Sequence, residues 1–329
     1  MGEDINVPFA IDVYGSLTAN QDIAVRVLND VNATVTSKGG NVAIQAQRVN
    51  GTITSLTESV DLDVFGDVVG GTVNGDRGVS MHVRGNMNAT VQTRGNVNIW
   101  TLGDVNGTVS ATGLGTQGKN VIVESWGKIT NNVSSAQGDV GLFAYKNITG
   151  DITAGNDVKI TTWGNMSGEV TGTNSATVFA KGDVTKKVTS TGGVAVRAGG
   201  SVLEDVTGGS VVVNALANVS GKVTGTTGAV VDAGGNITKA VDGGSGDAGV
   251  SAVGTVSSPT VKAAQDVWVS SGGALTSLTA DAGRDADVAS FASMSGVTVK
   301  AARNASGGRK GTQLNGTAEL SEREGCAQR

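Results

Sequence analysis

The chain has 329 residues, 51 of them glycine and only 2 proline, with 3% aromatic residues and a formal net charge of −5. Glycine this abundant without a Gly-X-Y period excludes collagen, and the regular return of valine excludes low-complexity disorder. Acids and bases are spread along the chain with no basic block, which argues against nucleic acid as a partner, and no apolar run is long enough for a membrane-spanning helix.

At the start, Ile5, Val7, Phe9, Ile11 and Val13 alternate with polar residues, which predicts an N-terminal strand or cap over residues 1–22. The opening MGEDINVPF is acidic and lacks the apolar segment of a signal peptide. An exported chain of this kind is then expected to be a segment of a longer protein or to have had its signal removed.

Residues 23–304 repeat themselves. One valine-like position runs Val35, Ile53, Val73, Val91, Val109, Val133, Ile152, Val170, Val188, Val206, Val223, Val241, most often 18 residues apart. Four residues before each stands a second apolar residue: Val31, Val49, Val69, Met87, Val105, Ile129, Ile148, Met166, Val184, Val202, Val219, Ile237. A V-x-V pair precedes these, as in Val42/Ile44, Val97/Ile99, Val158/Ile160 and Val211/Val213. Alternation of period two marks strands with one buried face, and Gly-Asn, Gly-Asp and Gly-Gly pairs mark corners between them. No single unit can cover its own edges, but stacked units can, each strand pairing in parallel with its counterpart one coil on. The prediction is therefore an all-β fold, a single-stranded parallel β-helix (β-solenoid). With about 18 residues per coil and about 14–15 coils, it would form a rod of roughly 70 Å. Residues 305–329 turn polar and charged and are expected to be a flexible tail carrying the only cysteine, Cys326.

Little in the body carries chemistry. The lone histidine, His82, is read as solvent-facing, with no second His or Cys beside it for a zinc site. Asp61, Asp63 and Asp67 form one acidic group, but adjacent coils supply no second one for acid/base cleavage of a glycan. The corner position Asp67, Asn86, Asp104, Asn147, Asn165, Asp183, Asn236 fits turn chemistry and stacked amides better than a cation ladder. No enzyme activity, metal or cofactor is expected. Threonines flanking the central valine fit ordinary strand propensity.

The sixth residue of each unit, counted from its V-x-V start, is outward by alternation and reads Phe65, Arg84, Leu102, Trp126, Tyr145, Trp163, then Lys181. Trp100 stands two positions earlier on the same strand face. Phe65, Trp100, Trp126, Tyr145 and Trp163 are the candidate surface contact, with Trp126, Tyr145 and Trp163 expected in a column roughly 5 Å apart. Two roles are open to this column, a brace for the solenoid or a recognition strip for sugars or another chain. A glycine-rich loop, ATGLGTQGKN, is expected near it.

The phrases GDVNGTVSATG, NITGDITAGNDVKI and GGNITKAV resemble coils of filamentous-hemagglutinin-type exoproteins, large bacterial surface adhesins, over about residues 23–304. The G-x-V-x-G-x-I-x-A phrase also resembles bactofilins, β-helical cytoskeletal proteins that polymerise, although their cores are much shorter. The first resemblance implies an extracellular or cell-surface rod whose partners are glycans or proteins of a host or neighbouring cell. The second implies a self-polymerising filament subunit whose partners are copies of itself. A glycan-binding or glycan-cleaving β-helix is the third reading. The chain lacks the N-terminal secretion domain of those adhesins with its Asn-Pro-Asn-Gly motif.

Overall fold

The computed structural model describes residues 3–113, 119–257, 260–309 and 317–320. These residues form strands and turns with no helix, wound as a parallel β-solenoid of about 18 residues per turn and about 16 turns. The chain divides into two compact units, Met1–Thr173 and Asn174–Arg329.

In the first unit the predicted valine column is a ladder of direct parallel partners: Val35↔Ile53, Ile53↔Val73, Val73↔Val91, Val91↔Val109, Val109↔Val133, Val133↔Ile152 and Ile152↔Val170. The V-x-V strands form a second stack, with Val42↔Val60, Val79↔Val97, Val97↔Val121, Val121↔Val140 and Val140↔Val158. A third side is narrow, held by single bridges such as Met87↔Val105, Val105↔Ile129 and Ile129↔Ile148. The second unit repeats the scheme, with Val206↔Val223 and Val223↔Val241 on one side and Val211↔Ala229 and Ala229↔Ala248 on another. The register continues beyond Val241 through Val261, Ala280 and Val299.

Strand pairing extends past the body at both ends. Ile5–Ala10 pairs in parallel with Ile23–Val27, and Asn304–Arg309 with Asp285–Ser290. These added strands bring the turn number above the 14–15 expected. Residues 310–316 and 321–329, with Cys326, lie outside the described residues.

The core is a thin file of Val, Ile, Ala and Met side chains, each covered above and below by its counterpart. Inward Ser and Thr residues close its corners. Ser125 Oγ donates to the Gly103 carbonyl at 2.9 Å and accepts the Gly127 N–H at 3.0 Å, so its hydroxyl is buried without an unmet polar group. One assignment needs correction. Val68, fully buried, holds the second apolar column, whereas Val69 is 41% exposed. The coil from Ile53 to Val73 is 20 residues long, and the ladder slips between Val49 and Asn50, which faces Gly70. Gly71, at φ 86°, makes the left-handed turn that returns the chain to register.

Candidate interaction surface

The predicted aromatic column is set by the backbone ladder. The amides of Phe65, Arg84, Leu102, Trp126, Tyr145 and Trp163 each donate to the carbonyl of the residue ending the strand one coil back, at 2.9–3.1 Å. Because each position follows the last inward residue of its strand, its side chain leaves the surface at the same corner. Trp126 and Tyr145 stack with ring centroids 5.7 Å apart and planes at 17°, and Tyr145 and Trp163 with 5.3 Å and 16°. These are offset stacks near the favoured geometry for aromatic pairs. Tyr145 therefore has a ring against both of its faces, and solvent meets ring edges at this step. Further along the column the Arg84 guanidinium lies over the Phe65 ring, 4.3 Å from its centroid, a cation–π contact. The glycine-rich loop expected nearby has residues 114–118 outside the described residues.

Trp100 belongs to a different column. Two positions earlier on a strand is one full pleat away, and its parallel partners are His82 and Glu124. His82 meets the Trp100 ring edge-on at 4.3 Å, and its Nδ1 lies 3.9 Å from Asp63 Oδ1. Gln45 Nε2 donates to Asp63 Oδ2 at 3.0 Å, and Asp63 Oδ1, itself shielded from solvent, receives no hydrogen bond. His82, read from sequence as solitary, thus stands between a carboxylate and an indole. Arg26, Gln45, Asp61 and Asp63 line a shallow depression of about 320 Å³ at this face. Among the described residues no group of three or more His, Cys, Asp or Glu side chains is placed to hold a metal ion.

The corner residues bond across coils rather than within their own turn. Asp67 Oδ1 accepts the Asn86 N–H at 2.6 Å, Asn86 Oδ1 the Asp104 N–H at 2.9 Å, and Asp104 Oδ1 the Lys128 N–H at 2.8 Å. Asn147 serves Asn165 in the same way at 2.9 Å, and in the second unit Asn218 serves Asn236 at 2.8 Å. Lys128 interrupts the chain because it can receive this support but has no oxygen to pass on. Where the corner one coil back supplies such an Oδ1, the residue before the next corner is held to glycine: a Cβ on Gly127 or Gly164 would run into the Oδ1 of Asp104 or Asn147, whereas Lys146 follows the Lys128 corner, which has none. Ion pairs also span coils, as in Arg48–Asp30 at 2.5 Å, Arg77–Glu58 at 3.1 Å and Lys262–Asp242 at 3.0 Å.

In the second unit the position equivalent to the aromatic column reads Lys181, Gly199, Leu216, Gly234, Val253, Gly272, Phe291, with the same inter-coil amide bonds at Gly199 through Phe291. Phe291 is the one aromatic residue at these seven positions, so successive rings do not follow one another as they do from Trp126 to Trp163. A groove of about 690 Å³ runs along it, lined by Phe179, Arg197, Leu216, Asp232 and Val253 among others. Beyond Lys181 the column is hard to see in the sequence because the glycines that follow resemble ordinary corner residues. The alternation of large residue and glycine was the signal available.

Comparison of the chain with known protein families, with curated proteins and with solved structures finds no match.

Proposed function

We propose that the chain is a structural and adhesive β-solenoid displayed outside the cell or at its surface, a segment of a larger exported protein, with glycans or proteins of a neighbouring or host cell as partners and without enzyme activity. The observation that carries this reading is the use of polar side chains between coils. Asp67, Asn86, Asp104, Asn147, Asn218, Arg48 and Lys262 each join one turn to the next. A molecule built this way holds a surface at a fixed place, which is the mechanical task of an adhesin stalk. Stacking of the Trp126–Tyr145–Trp163 rings upon one another supports a bracing role for that column. Adhesion then falls to other outward residues, including the Asp63–His82–Trp100 column.

Two measurements test the proposal. Antibodies against the chain should label intact source cells, and beads coated with the full chain should bind neighbouring cells or their extracted surface polysaccharide. Labelling only after cell lysis, or beads that bind neither target while the chain remains folded, would sink it.

A further inference from the structure

In the second unit, parallel partners fix the level of each coil: Phe179↔Arg197, Arg197↔Asn214, Asn214↔Asp232 and Asp232↔Ser251. Two residues beyond each of these lies the corner column Lys181, Gly199, Leu216, Gly234, Val253. With a coil step of about 4.8 Å, large side chains recur about every 9.6 Å with a glycine notch between them. Leu216 and Val253 are 77% and 73% exposed, unusual for aliphatic residues that a strand could have turned inward. The notches are fixed by the coil itself, since a Cβ on Gly199 or Gly234 would run into the backbone carbonyl of Lys181 or Leu216 one coil back. The amides of Leu216, Gly234 and Val253 make the same bond one coil back, to Ala198, Ala215 and Ala233, at 2.9–3.0 Å.

We propose that this face binds a second copy of itself, antiparallel, about a two-fold axis passing between the coils of Leu216 and Gly234. That operation exchanges the levels of large residues and notches. Leu216 then faces the partner's Gly234, and Val253 faces the partner's Gly199, so knobs enter notches on both sides of one isologous contact. A parallel copy at equal height would instead set Leu216 against its own counterpart. Charge agrees with the antiparallel arrangement. Asp232 faces the partner's Asn214 and lies one coil step from the partner's Arg197 and from the partner's Asp232, so two Asp–Arg attractions stand against one Asp–Asp repulsion, while the two copies of Arg197 are three coil steps apart. The inference is independent of the adhesive reading, since it rests on self-complementarity alone.

Sedimentation of the full chain over a range of concentrations should show a reversible monomer–dimer equilibrium. Leu216→Glu with Val253→Glu should leave a monomer whose melting is unchanged, because both side chains are already in solvent. Arg197→Glu should weaken the dimer by about tenfold or more, and adding Asp232→Arg to it should restore association, since the swap re-creates opposite charges across the axis. A chain that stays monomeric at every concentration overturns the proposal. So does a dimer that survives the double glutamate substitution, or an open-ended series of larger species.

Discussion

One corner of the coil is built in two ways. In the first unit it carries Trp126, Tyr145 and Trp163, about half exposed, with each ring resting on the next. In the second it carries Leu216 and Val253, three-quarters exposed, each set between glycines that offer nothing to lean on. The backbone ladder is the same at both, so the difference lies in the side chains. Planar rings about 5 Å apart can cover one another from coil to coil, and an aliphatic side chain beside a glycine cannot. Apolar surface in the first unit is therefore partly covered within the molecule, and in the second it stays exposed.

That contrast presumes that each unit has the same kind of core, and the largest effects test this premise. Ile148→Asp and Val170→Asp in the first unit, and Val223→Asp in the second, each put a carboxylate at a position no more than 1% exposed. No partner or water can follow it into a core one side chain wide, so each should cost several kcal/mol in chemical denaturation. Lys159→Thr, on an exposed strand position, should change almost nothing. Equal losses at Lys159 and Val170 would mean that inward and outward faces are exchanged.

The apolar columns were legible in the sequence because burial repeats with the coil and tolerates few residue types. Val35 through Val241 stand where the spacing put them, and the V-x-V strands with them. Val69 was misplaced by one residue, since a fixed offset of four cannot see an insertion absorbed by Gly71. Contacts between coils were harder to read. His82, Asp63 and Trp100 lie 18 or 19 residues apart in sequence and are neighbours only when the register of each coil is known. The corner amides were recognised as turn residues, yet their acceptors serve the following coil, which no local turn rule implies. The alternation at Gly199, Gly234 and Gly272 was hidden because glycine at a corner already has an ordinary explanation.

The corner columns themselves give the middle-sized effects. Replacing Trp126, Tyr145 and Trp163 together by Ser removes two stacked pairs and should lower stability by about 1–3 kcal/mol, at about 0.5–1.5 kcal/mol per pair. Any adhesion carried elsewhere should persist. Leu216→Ser removes a side chain that is 77% exposed and should leave the melting temperature of the monomer unchanged. A triple variant that melts like the parent while losing adhesion would reverse the assignment and make the rings the recognition surface. A clear loss of stability in Leu216→Ser would show that the leucine is covered within its own chain.

The smallest effect concerns the charged edge of the second unit, where the last described coils are tied by arginine–aspartate pairs instead of rings. Arg284 Nε donates to Asp266 Oδ1 at 2.8 Å, and Arg303 Nε to Asp285 Oδ1 at 2.8 Å. The Arg303 hydrogen bond, followed by that of Asn304, holds the Asp285 carboxyl down from its ordinary 3.8 to about 2. A carboxylate with a depressed value in the folded state binds fewer protons there than when unfolded. It therefore adds stability that is complete above its unfolded value and fades as pH falls from about 4 toward about 2. Both partners are solvent-exposed, so the contribution should be small and should shrink further in high salt. Asp285→Asn should lower the neutral-pH melting temperature slightly and flatten its decline over this acid range relative to the parent chain. The first unit is the internal control: Asn147→Ala removes an uncharged corner bond and should shift melting by the same amount at neutral pH and at the acid end. If Asp285→Asn and the parent lose stability in parallel as pH falls, the arginine pairs contribute nothing measurable to holding these coils.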